Sequence, residues 1–268
     1  MRMITAILLV ASSAYAAPHA LPAPKQGGIY VIAHRGAHEG IPENTVAAYK
    51  KGIELNCDFV EVDFRETKDK AIVSVHNDDI NAYTKDAKGP VKNFTLAELK
   101  ALDIGSRVGP QWKDERIPTM EEVLNACEGK IGLYVDLKKA PVPVVAKALQ
   151  DHGLAAISVW YADPDEYRTL ASVCPECQPM PDTTGVQDLE KVKKEFEPAA
   201  VSPSFSAISK EYVEKCHALG MKLFIDEEGK DYRACWNQML AWGVDGIQTD
   251  HPAELIEFLK ARAATGGK

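Results

Sequence analysis

The stretch IGLYVDLKKAPVPVVAKALQDHGLAAISVW, residues 131–160, decides the fold class of this chain. It opens with a short apolar run, Ile131–Asp136, and closes with a second one, Ile157–Trp160. Between them, apolar residues recur at helical spacing over Val142–His152. Two strands that enclose a helix pair in parallel, because an antiparallel pair needs only a tight turn. The stretch therefore predicts a βαβ unit.

The same alternation continues over most of the chain. Further strands are predicted at Ile29–Ala33, Phe59–Phe64, Ala71–Val75, Gln178–Met180, Ala200–Ser202, Lys222–Ile225 and Gly246–Gln248. Further helices are predicted at about Glu43–Leu55, Thr119–Ala126, Pro164–Val173, Leu189–Lys194, Lys210–Leu219, Tyr232–Trp242 and Pro252–Ala261. About eight such units over roughly 250 residues predict an α/β fold, the closed (β/α)₈ or TIM barrel. An open doubly wound sheet is the alternative, but its Gly-rich dinucleotide fingerprint is missing from the sequence.

One connection departs from this pattern. Phe59–Phe64 and Ala71–Val75 are too close in sequence to enclose a helix, so they predict an antiparallel hairpin. With residues 69–70 as a two-residue turn, Asp63 would lie opposite His76 and share a sheet face with it.

The amino terminus has the pattern of a secretory signal peptide. Arg2 precedes the apolar run ITAILLVA, residues 4–11, and Ala14-Tyr15-Ala16 forms a small-residue cleavage site. We expect residues 1–16 to be removed and the protein to be exported, either to a periplasm or to the medium. A buried N-terminal helix is the alternative interpretation.

Composition excludes several classes of protein. The 268 residues are 46% hydrophobic and 26% charged, which is typical of a folded globular chain. One domain of this length buries a sizeable core, although two small domains are also compatible with the length. The net charge of −8 disfavours nucleic acid as a partner. No apolar run approaches the roughly 18 residues that cross a bilayer, so stable membrane insertion is not expected.

We divide the chain into segments on this basis. Residues 17–28 are Pro-rich and form an N-terminal tether, and residues 29–262 form the barrel. Within the barrel, residues 77–118 follow the hairpin as a small insertion, which we expect to lie over the barrel mouth. Connections of this length are unusual unless they are functional.

The six cysteines do not form a metal-binding pattern. Cys57 and Cys127 lie in apolar stretches and are expected to be core thiols. Cys174 and Cys177 form a C-x-x-C motif without the second pair that a zinc site needs and without a thioredoxin-like context. A loop disulfide or inert thiols are therefore favoured over a redox or zinc function.

Charged and imidazole side chains lie at the ends of several predicted strands, where barrel enzymes carry their catalytic groups. These residues are His34, Arg35, Glu61, Asp63, His76, Asp136 and Lys138. Carboxylates without a neighbouring cysteine are ligands for a hard cation such as Mg²⁺ or Ca²⁺. Guanidinium and ammonium groups bind phosphate, and imidazoles transfer protons near neutral pH. This set predicts phosphoryl transfer, with a buried salt-bridge network as the non-catalytic alternative.

Several of these residues belong to motifs in a specific order. The motifs are His34-Arg35-Gly36, PENT at 42–45, Glu61-Val62-Asp63, VHND at 75–78, IPT at 117–119, YVDLK at 134–138 and GVDGIQTD at 243–250. Through them the chain resembles the glycerophosphodiester phosphodiesterases, from about Tyr30 to Leu259.

The resemblance implies a barrel with an insertion after the hairpin and a role for each strand-end residue. It implies His34 and His76 as the general acid/base pair, with Arg35 and Lys138 binding phosphate. It implies that one divalent cation, Ca²⁺ or Mg²⁺, is held by Glu61, Asp63 and Asp136. The substrate would be a small glycerophosphodiester. A glycerol hydroxyl would expel the head-group alcohol, and water would then open the cyclic phosphate to glycerol 3-phosphate.

Two positions depart from the family pattern. The family usually has Glu where this chain has Asp136, and a shorter side chain changes the distance to a metal. A late family strand usually ends in a Trp-Thr-x-Asn-like run, whereas this chain reads Asp226-Glu227-Glu228. This acidity suggests a cationic head group as a hypothesis, with a solvated acidic loop as the alternative.

Three other functions are compatible with parts of the pattern. Other barrel phosphodiesterases, such as phospholipase-like enzymes, use similar histidine pairs. A barrel glycoside hydrolase would use paired carboxylates, but Glu61 and Asp63 lie on one strand and both histidines would have no role. A non-catalytic exported module that binds phosphodiesters would leave the proton-transfer groups unexplained.

Overall fold

Parallel strands and helices alternate along the chain in the computed structural model, which describes residues 20–265. The strands are β1 (Tyr30–Ala33), β2 (Phe59–Glu66), β3 (Ile72–Ser74), β4 (Gly132–Lys139), β5 (Val159–Tyr161), β6 (Gln178–Pro179), β7 (Ala200–Val201), β8 (Lys222–Asp226) and β9 (Gly246–Thr249). The α-helices are α1 (Val46–Glu54), α2 (Leu96–Ala101), α3 (Met120–Cys127), α4 (Val142–Asp151), α5 (Pro164–Val173), α6 (Leu189–Phe196), α7 (Lys210–Ala218), α8 (Tyr232–Trp242) and α9 (Pro252–Ala264). Short 3₁₀ helices lie at Ile80–Ala82, Val91–Asn93, Pro110–Trp112, Ala155–Ile157, Val186–Asp188 and Phe205–Ala207.

The parallel strands form a nearly closed barrel. Their order is β6-β5-β4-β2-β1-β9-β8-β7, and β3 extends β2 as an antiparallel strand. Within residues 20–265 the strand ladder is interrupted between β6 and β7, where the Ser202 N–H donates to the Pro181 carbonyl at 3.1 Å. The predicted (β/α)₈ barrel is therefore confirmed, and the open doubly wound sheet is excluded.

Side chains alternate between the inside and the outside of the barrel, as the pleat of a strand requires. On β1, Val31 and Ala33 face outward and pack with the surrounding helices. Tyr30 and Ile32 face inward and join an interior cluster that includes Phe224. The Tyr30 and Phe224 ring centroids are 5.1 Å apart. This apolar cluster fills the barrel interior, so the polar residues at the strand ends lie directly above close-packed side chains.

The β2–β3 hairpin forms, but the predicted two-residue turn at 69–70 is wrong. Five residues, 67–71, lie between the two strands. The Thr67 N–H donates to the Ala71 carbonyl at 2.9 Å, which leaves residues 68–70 as the loop, and Lys70 takes the left-handed conformation, with φ at 68°. Two-residue hairpin turns of type I′ need positive φ at both positions, whereas this loop needs only one. The register therefore shifts by one residue. The N–H of Val75 donates to the Asp63 carbonyl at 2.9 Å, so Asp63 does not pair with His76.

Residues 77–118 build a small hydrophobic cluster of their own beside the hairpin. Ile80, Leu99 and Ile117 pack there against Val75. The insertion also contacts the loop that follows β1, because the indole N–H of Trp112 donates to the Gly40 carbonyl at 2.8 Å. It thus supports the carboxyl end of the barrel, where the strand-end residues lie.

The segment before β1 is described only from residue 20 onward. The predicted signal peptide, residues 1–16, and the start of the tether lie outside the described residues. Leu21 is buried against the interior cluster, and the Tyr30 hydroxyl donates to the Pro22 carbonyl at 2.7 Å. The Lys25 N–H donates to Asp58 Oδ1 at 2.8 Å. These contacts fasten the described part of the tether to the amino-terminal end of the barrel.

The cysteines separate into one disulfide and a set of buried thiols. Cys174 and Cys177 are disulfide-bonded, so the predicted loop disulfide is confirmed. Cys57 and Cys127 are free and buried, as expected of core thiols. Among residues 20–265, no helix combines the length and the apolar composition needed to cross a membrane.

Candidate active site

The carboxyl ends of the strands surround a cavity of about 430 Å³. Five of the seven residues singled out in the sequence line it: His34, Arg35, His76, Asp136 and Lys138. The other two, Glu61 and Asp63, are almost fully buried on the neighbouring strand β2. A larger cleft of about 560 Å³ between α5 and α6 shares Asp136 and Lys138 with this cavity but contains neither histidine. The smaller cavity is therefore the candidate active site.

Three carboxylates converge under the cavity. Asp63 lies beside Asp136 in the parallel register of β2 and β4, and Glu61 shares the Asp63 face of β2. Oxygen atoms of all three lie within 4.8 Å of one another. Burial raises the pKa of Glu61 well above its ordinary value, and the charges of Asp63 and Asp136 raise it further. The cluster therefore concentrates negative charge where water cannot disperse it.

The charges around this cluster fit a divalent cation. Lys138 Nζ lies 2.5 Å from Asp136 Oδ2 and 3.4 Å from Asp63 Oδ1, and so offsets one of the three negative charges. Asp63 is 0% exposed, yet its Oδ1 has no hydrogen bond within residues 20–265. Burying a carboxylate oxygen is costly without a close partner, and the ammonium of Lys138 contacts Oδ1 only at 3.4 Å, so a more closely bound cation would offset this cost. Oxygen donors of this kind are what Mg²⁺ and Ca²⁺ prefer.

Asn44 fixes the orientation of Asp63. Its side-chain amide donates to Asp63 Oδ2 at 2.8 Å. The side-chain oxygen of Asn44, Oδ1, in turn accepts hydrogen bonds from the hydroxyls of Tyr49 and Ser74 at 2.7 and 3.1 Å. One Asp63 oxygen is thereby held and the other is left for a ligand. Asn44 lies in the PENT motif, but sequence reasoning assigned it no role.

Arg35 connects the carboxylates to the cavity. Its backbone N–H donates to Glu61 Oε2 at 2.7 Å, and its Nη1 donates to Glu43 Oε1 at 3.1 Å. The Arg35 Nε is buried and has no partner among the described residues. Arg35 also lines the cavity, so its guanidinium combines contact with the cavity and donor capacity that the described residues leave unused.

His34 is oriented by a residue that sequence reasoning missed. Its Nδ1 donates to Asp250 Oδ1 at 2.7 Å, so Nε2 is the ring nitrogen that takes no part in this hydrogen bond. The Nε2 of His38 donates to the same oxygen at 3.0 Å. These two hydrogen bonds hold the pKa of Asp250 far below its usual range. Asp250 directly follows β9, so its position at a strand end was the available signal.

His76 reaches the same cavity from beyond the end of β3. Its Nδ1 lies 2.8 Å from Asn77 Oδ1, and its carbonyl oxygen accepts from Arg65 Nε at 3.0 Å. Arg65 thus holds the backbone that presents the ring. Both predicted histidines and all three predicted carboxylates are brought together, although the predicted cross-strand pair of Asp63 and His76 does not form.

Gly36 permits the tight turn between His34 and the first helix. Its φ is 81°, and a Cβ atom built there would lie 2.8 Å from the Ala48 Cβ and carbonyl carbon. Gly40 also has positive φ, at 71°, but a Cβ there would meet nothing within 4 Å. Both glycines therefore have a left-handed backbone, but only Gly36 lacks space for a side chain.

We expect Gly36→Ala to destabilise the protein more than Gly40→Ala does. Left-handed strain costs about 1–2 kcal/mol at either position. Crowding against Ala48 adds about 1–3 kcal/mol at Gly36 alone. Urea unfolding of both variants measures the difference. Equal losses in the free energy of unfolding would show that the close approach to α1 has no energetic weight.

Comparisons with known proteins point to one family. The model of the glycerophosphoryl diester phosphodiesterase family matches residues 34–254. A glycerophosphodiester phosphodiesterase of Caldanaerobacter subterraneus is 31% identical over 239 residues, which cover 86% of this chain and 97% of the relative. The structure of an Oleispira antarctica phosphodiesterase, in complex with its product sn-glycerol-3-phosphate, aligns with a TM-score of 0.76 at 23% identity. That alignment covers 87% of this chain and 96% of the other.

Proposed function

Since this chain belongs to the glycerophosphoryl diester phosphodiesterase family, we propose which of its strand-end residues bind the metal, bind the phosphate and transfer protons. The protein is a phosphoric diester hydrolase that converts glycerophosphodiesters to glycerol 3-phosphate and an alcohol. One observation carries the proposal: three carboxylates, two imidazoles and two cationic side chains converge at a single cavity.

Glu61, Asp63 and Asp136 would hold one divalent cation, Ca²⁺ or Mg²⁺. When bound, the ion would supply Lewis acidity that lowers the pKa of a substrate hydroxyl and offsets charge on the phosphate. Asp136, which stands where the family usually has Glu, supports this proposal because its oxygen lies within 4.8 Å of the other two ligand atoms. Asn44 keeps the Asp63 carboxylate oriented for this contact.

Arg35 and Lys138 would bind the phosphodiester. Burial alone would lower the pKa of Lys138, but the charges of Asp136 and Asp63 raise it above its ordinary value. The ammonium therefore stays charged and provides a point charge for a phosphate oxygen. The guanidinium of Arg35 provides directional donors beside it.

His34 and His76 would transfer the protons in both steps. His34 suits the role of base, because Asp250 stabilises its imidazolium form. It takes the proton of the glycerol hydroxyl as that oxygen bonds to phosphorus, while His76 protonates the head-group oxygen whose bond to phosphorus breaks. In the second step His76 takes a proton from water, which bonds to phosphorus. His34 then returns its proton to the departing ring oxygen, and glycerol 3-phosphate is formed.

Product analysis tests this reaction. We expect glycerophosphocholine to yield glycerol 3-phosphate and choline, detected by phosphorus NMR and an assay for choline. Release of phosphocholine and glycerol would place the cleavage at the wrong ester bond. Cleavage of intact phosphatidylcholine but not of the deacylated diester would favour the phospholipase-like alternative.

The cavity suits a cationic head group. Tyr134, Tyr161 and Phe205 line it together with Asp226. Aromatic faces and a carboxylate are the groups that bind quaternary ammonium ions. Asp226 is accessible from the cavity, yet many protein atoms surround its carboxylate.

Asp226→Asn is expected to reduce the preference for glycerophosphocholine over glycerophosphoglycerol. One accessible ion pair is worth up to about 1 kcal/mol, so the ratio of the two kcat/KM values should fall up to about fivefold. Asp165→Asn, which changes an exposed carboxylate on α5, is the matched control. An unchanged ratio in Asp226→Asn would show that the acidic loop is solvated and does not select the head group.

The same preference should depend on pH. Burial raises the pKa of Asp226 to about 6. The carboxylate is negative above that pH and neutral below it, so the preference for a cationic head group should fade as the pH drops through about 6. The charged groups that face Asp226 are His34, Asp136, Lys138 and Asp250. Their titration affects both substrates, and the ratio of kcat/KM values removes that common effect. A ratio that stays constant from pH 5 to pH 8 contradicts this role.

Export of the protein is also proposed. The disulfide between Cys174 and Cys177 supports it, because such bonds persist in oxidising compartments. We expect mass spectrometry of the protein from a periplasmic or culture-medium fraction to find a chain that begins at Ala17. Recovery of the uncleaved chain from the cytosol alone would contradict both the signal peptide and the location.

A further inference from the structure

A second group of possible metal ligands lies beside the carboxylate cluster. His34 and His38 belong to the loop after β1, and Asp250 follows β9, the strand that pairs with β1. Both imidazoles contact the same Asp250 oxygen, at 2.7 and 3.0 Å. One donor atom from each residue lies within 4.8 Å of the other two. This group shares no residue with Glu61, Asp63 and Asp136.

The two groups differ in the cations they prefer. Glu61, Asp63 and Asp136 offer only oxygen, which suits Mg²⁺ and Ca²⁺. Two imidazoles with one carboxylate form a ligand set that Zn²⁺ occupies with an open fourth position. Bonds of about 2.0–2.1 Å in a tetrahedral site place neighbouring ligand atoms about 3.3 Å apart. The observed contacts of 2.7 and 3.0 Å are shorter than this by about 0.6 and 0.3 Å, so outward movements of that size would admit the ion.

The surroundings favour entry of a cation. The Asp250 side chain is 49% exposed, whereas the His34 and His38 side chains are 26% and 22% exposed. Glu227 lies next to Asp250, and its Oε1 accepts a hydrogen bond from the Asp250 backbone N–H at 3.1 Å. The charge of Asp226 also acts on His34. A zinc ion would therefore reach an open, negatively charged set of ligands.

We propose that His34, His38 and Asp250 form an inhibitory Zn²⁺ site. Binding would break the hydrogen bonds of both imidazoles to Asp250, and the proton of each neutral ring would move to the nitrogen that does not bond to zinc. With zinc on Nδ1, the single ring proton of His34 lies on Nε2, which then has no lone pair to accept a proton. The protein would keep its activating cation and lose its base. Inhibition rests on the function proposed above, whereas zinc binding does not.

Equilibrium dialysis tests the binding directly. The probe is Zn²⁺ with the full chain in excess Mg²⁺, so that the carboxylate cluster is occupied. We expect one tight equivalent in the wild type and loss of affinity by at least about tenfold in His38→Gln, which keeps a donor for Asp250 but removes a ligand. His152→Gln is the matched control, because His152 also contacts two carboxylates, Glu121 and Glu128. Equal zinc binding by wild type and His38→Gln would overturn the proposal.

Inhibition kinetics then test the consequence. His38→Gln should retain most of its basal activity and resist zinc, and raising Mg²⁺ should not relieve the inhibition of the wild type. Inhibition that Mg²⁺ relieves equally in both proteins would place zinc on Glu61, Asp63 and Asp136 instead, and would overturn the proposal. If the protein hydrolyses no phosphodiester, the function proposed above fails, and dialysis still decides whether the zinc site exists.

Discussion

Replacing His34 by glutamine is expected to lower kcat by roughly 10²- to 10⁴-fold, the range that general acid–base catalysis contributes. Glutamine keeps a polar side chain that can donate to Asp250, but it cannot accept and return a proton. The His34 side chain is 26% exposed and lies outside the hydrophobic core, so the variant should remain folded. Steady-state kinetics with glycerophosphocholine measure the loss, and circular dichroism checks the fold.

His76→Gln should cause a loss of the same order, since each step needs both a base and an acid. The double variant should lose little more than either single variant, because residues that act as a unit are not additive. His152→Gln, distant from the cavity, should leave kcat unchanged. Wild-type kcat in either single variant would remove the histidine pair from the mechanism.

The second large effect concerns stability. Adding Ca²⁺ or Mg²⁺ to the chelated protein should raise its Tm by about 5–10 °C at a concentration 100-fold above the Kd. A ligand at that concentration contributes about 2.7 kcal/mol, and each kcal/mol shifts Tm by about 2–4 °C in a chain of this size. Differential scanning fluorimetry measures the shift without any enzymatic readout.

Asp63→Asn should abolish that shift and also raise the Tm of the chelated protein above that of the chelated wild type. The substitution removes one of three crowded negative charges and keeps an oxygen that can accept from Asn44. Asp86→Asn, an exposed position in the insertion, is the control and should behave as the wild type. A full metal-induced shift in Asp63→Asn would show that the ion binds elsewhere.

Most of the fold could be predicted because apolar residues recur in the sequence at the spacing with which strands and helices bury their side chains. Helices α5 and α8 begin and end at the predicted residues, Pro164–Val173 and Tyr232–Trp242. The hairpin register could not be predicted, since it depends on the backbone conformation of the loop. Lys70 adopts a positive φ there, which is uncommon for a residue with a side chain.

The strand-end residues could be predicted as a group for a geometric reason. Parallel strands bring their carboxyl ends to one edge, whatever the details of the loops. The partners of these residues were harder to find. His34 and Asp250 are 216 residues apart in sequence and meet only because β9 pairs with β1 as the barrel closes. His38 and Asn44 lie in the loop after β1, whose path depends on that closure and on the left-handed backbone at Asn44.

The central claim is that catalysis needs a bound divalent cation together with the two histidines. Hydrolysis of glycerophosphocholine before and after complete removal of divalent ions tests it most directly. We predict that release of glycerol 3-phosphate stops on chelation and returns when one equivalent of Ca²⁺ or Mg²⁺ is bound. Undiminished turnover by protein that elemental analysis shows to be free of divalent metal would contradict it.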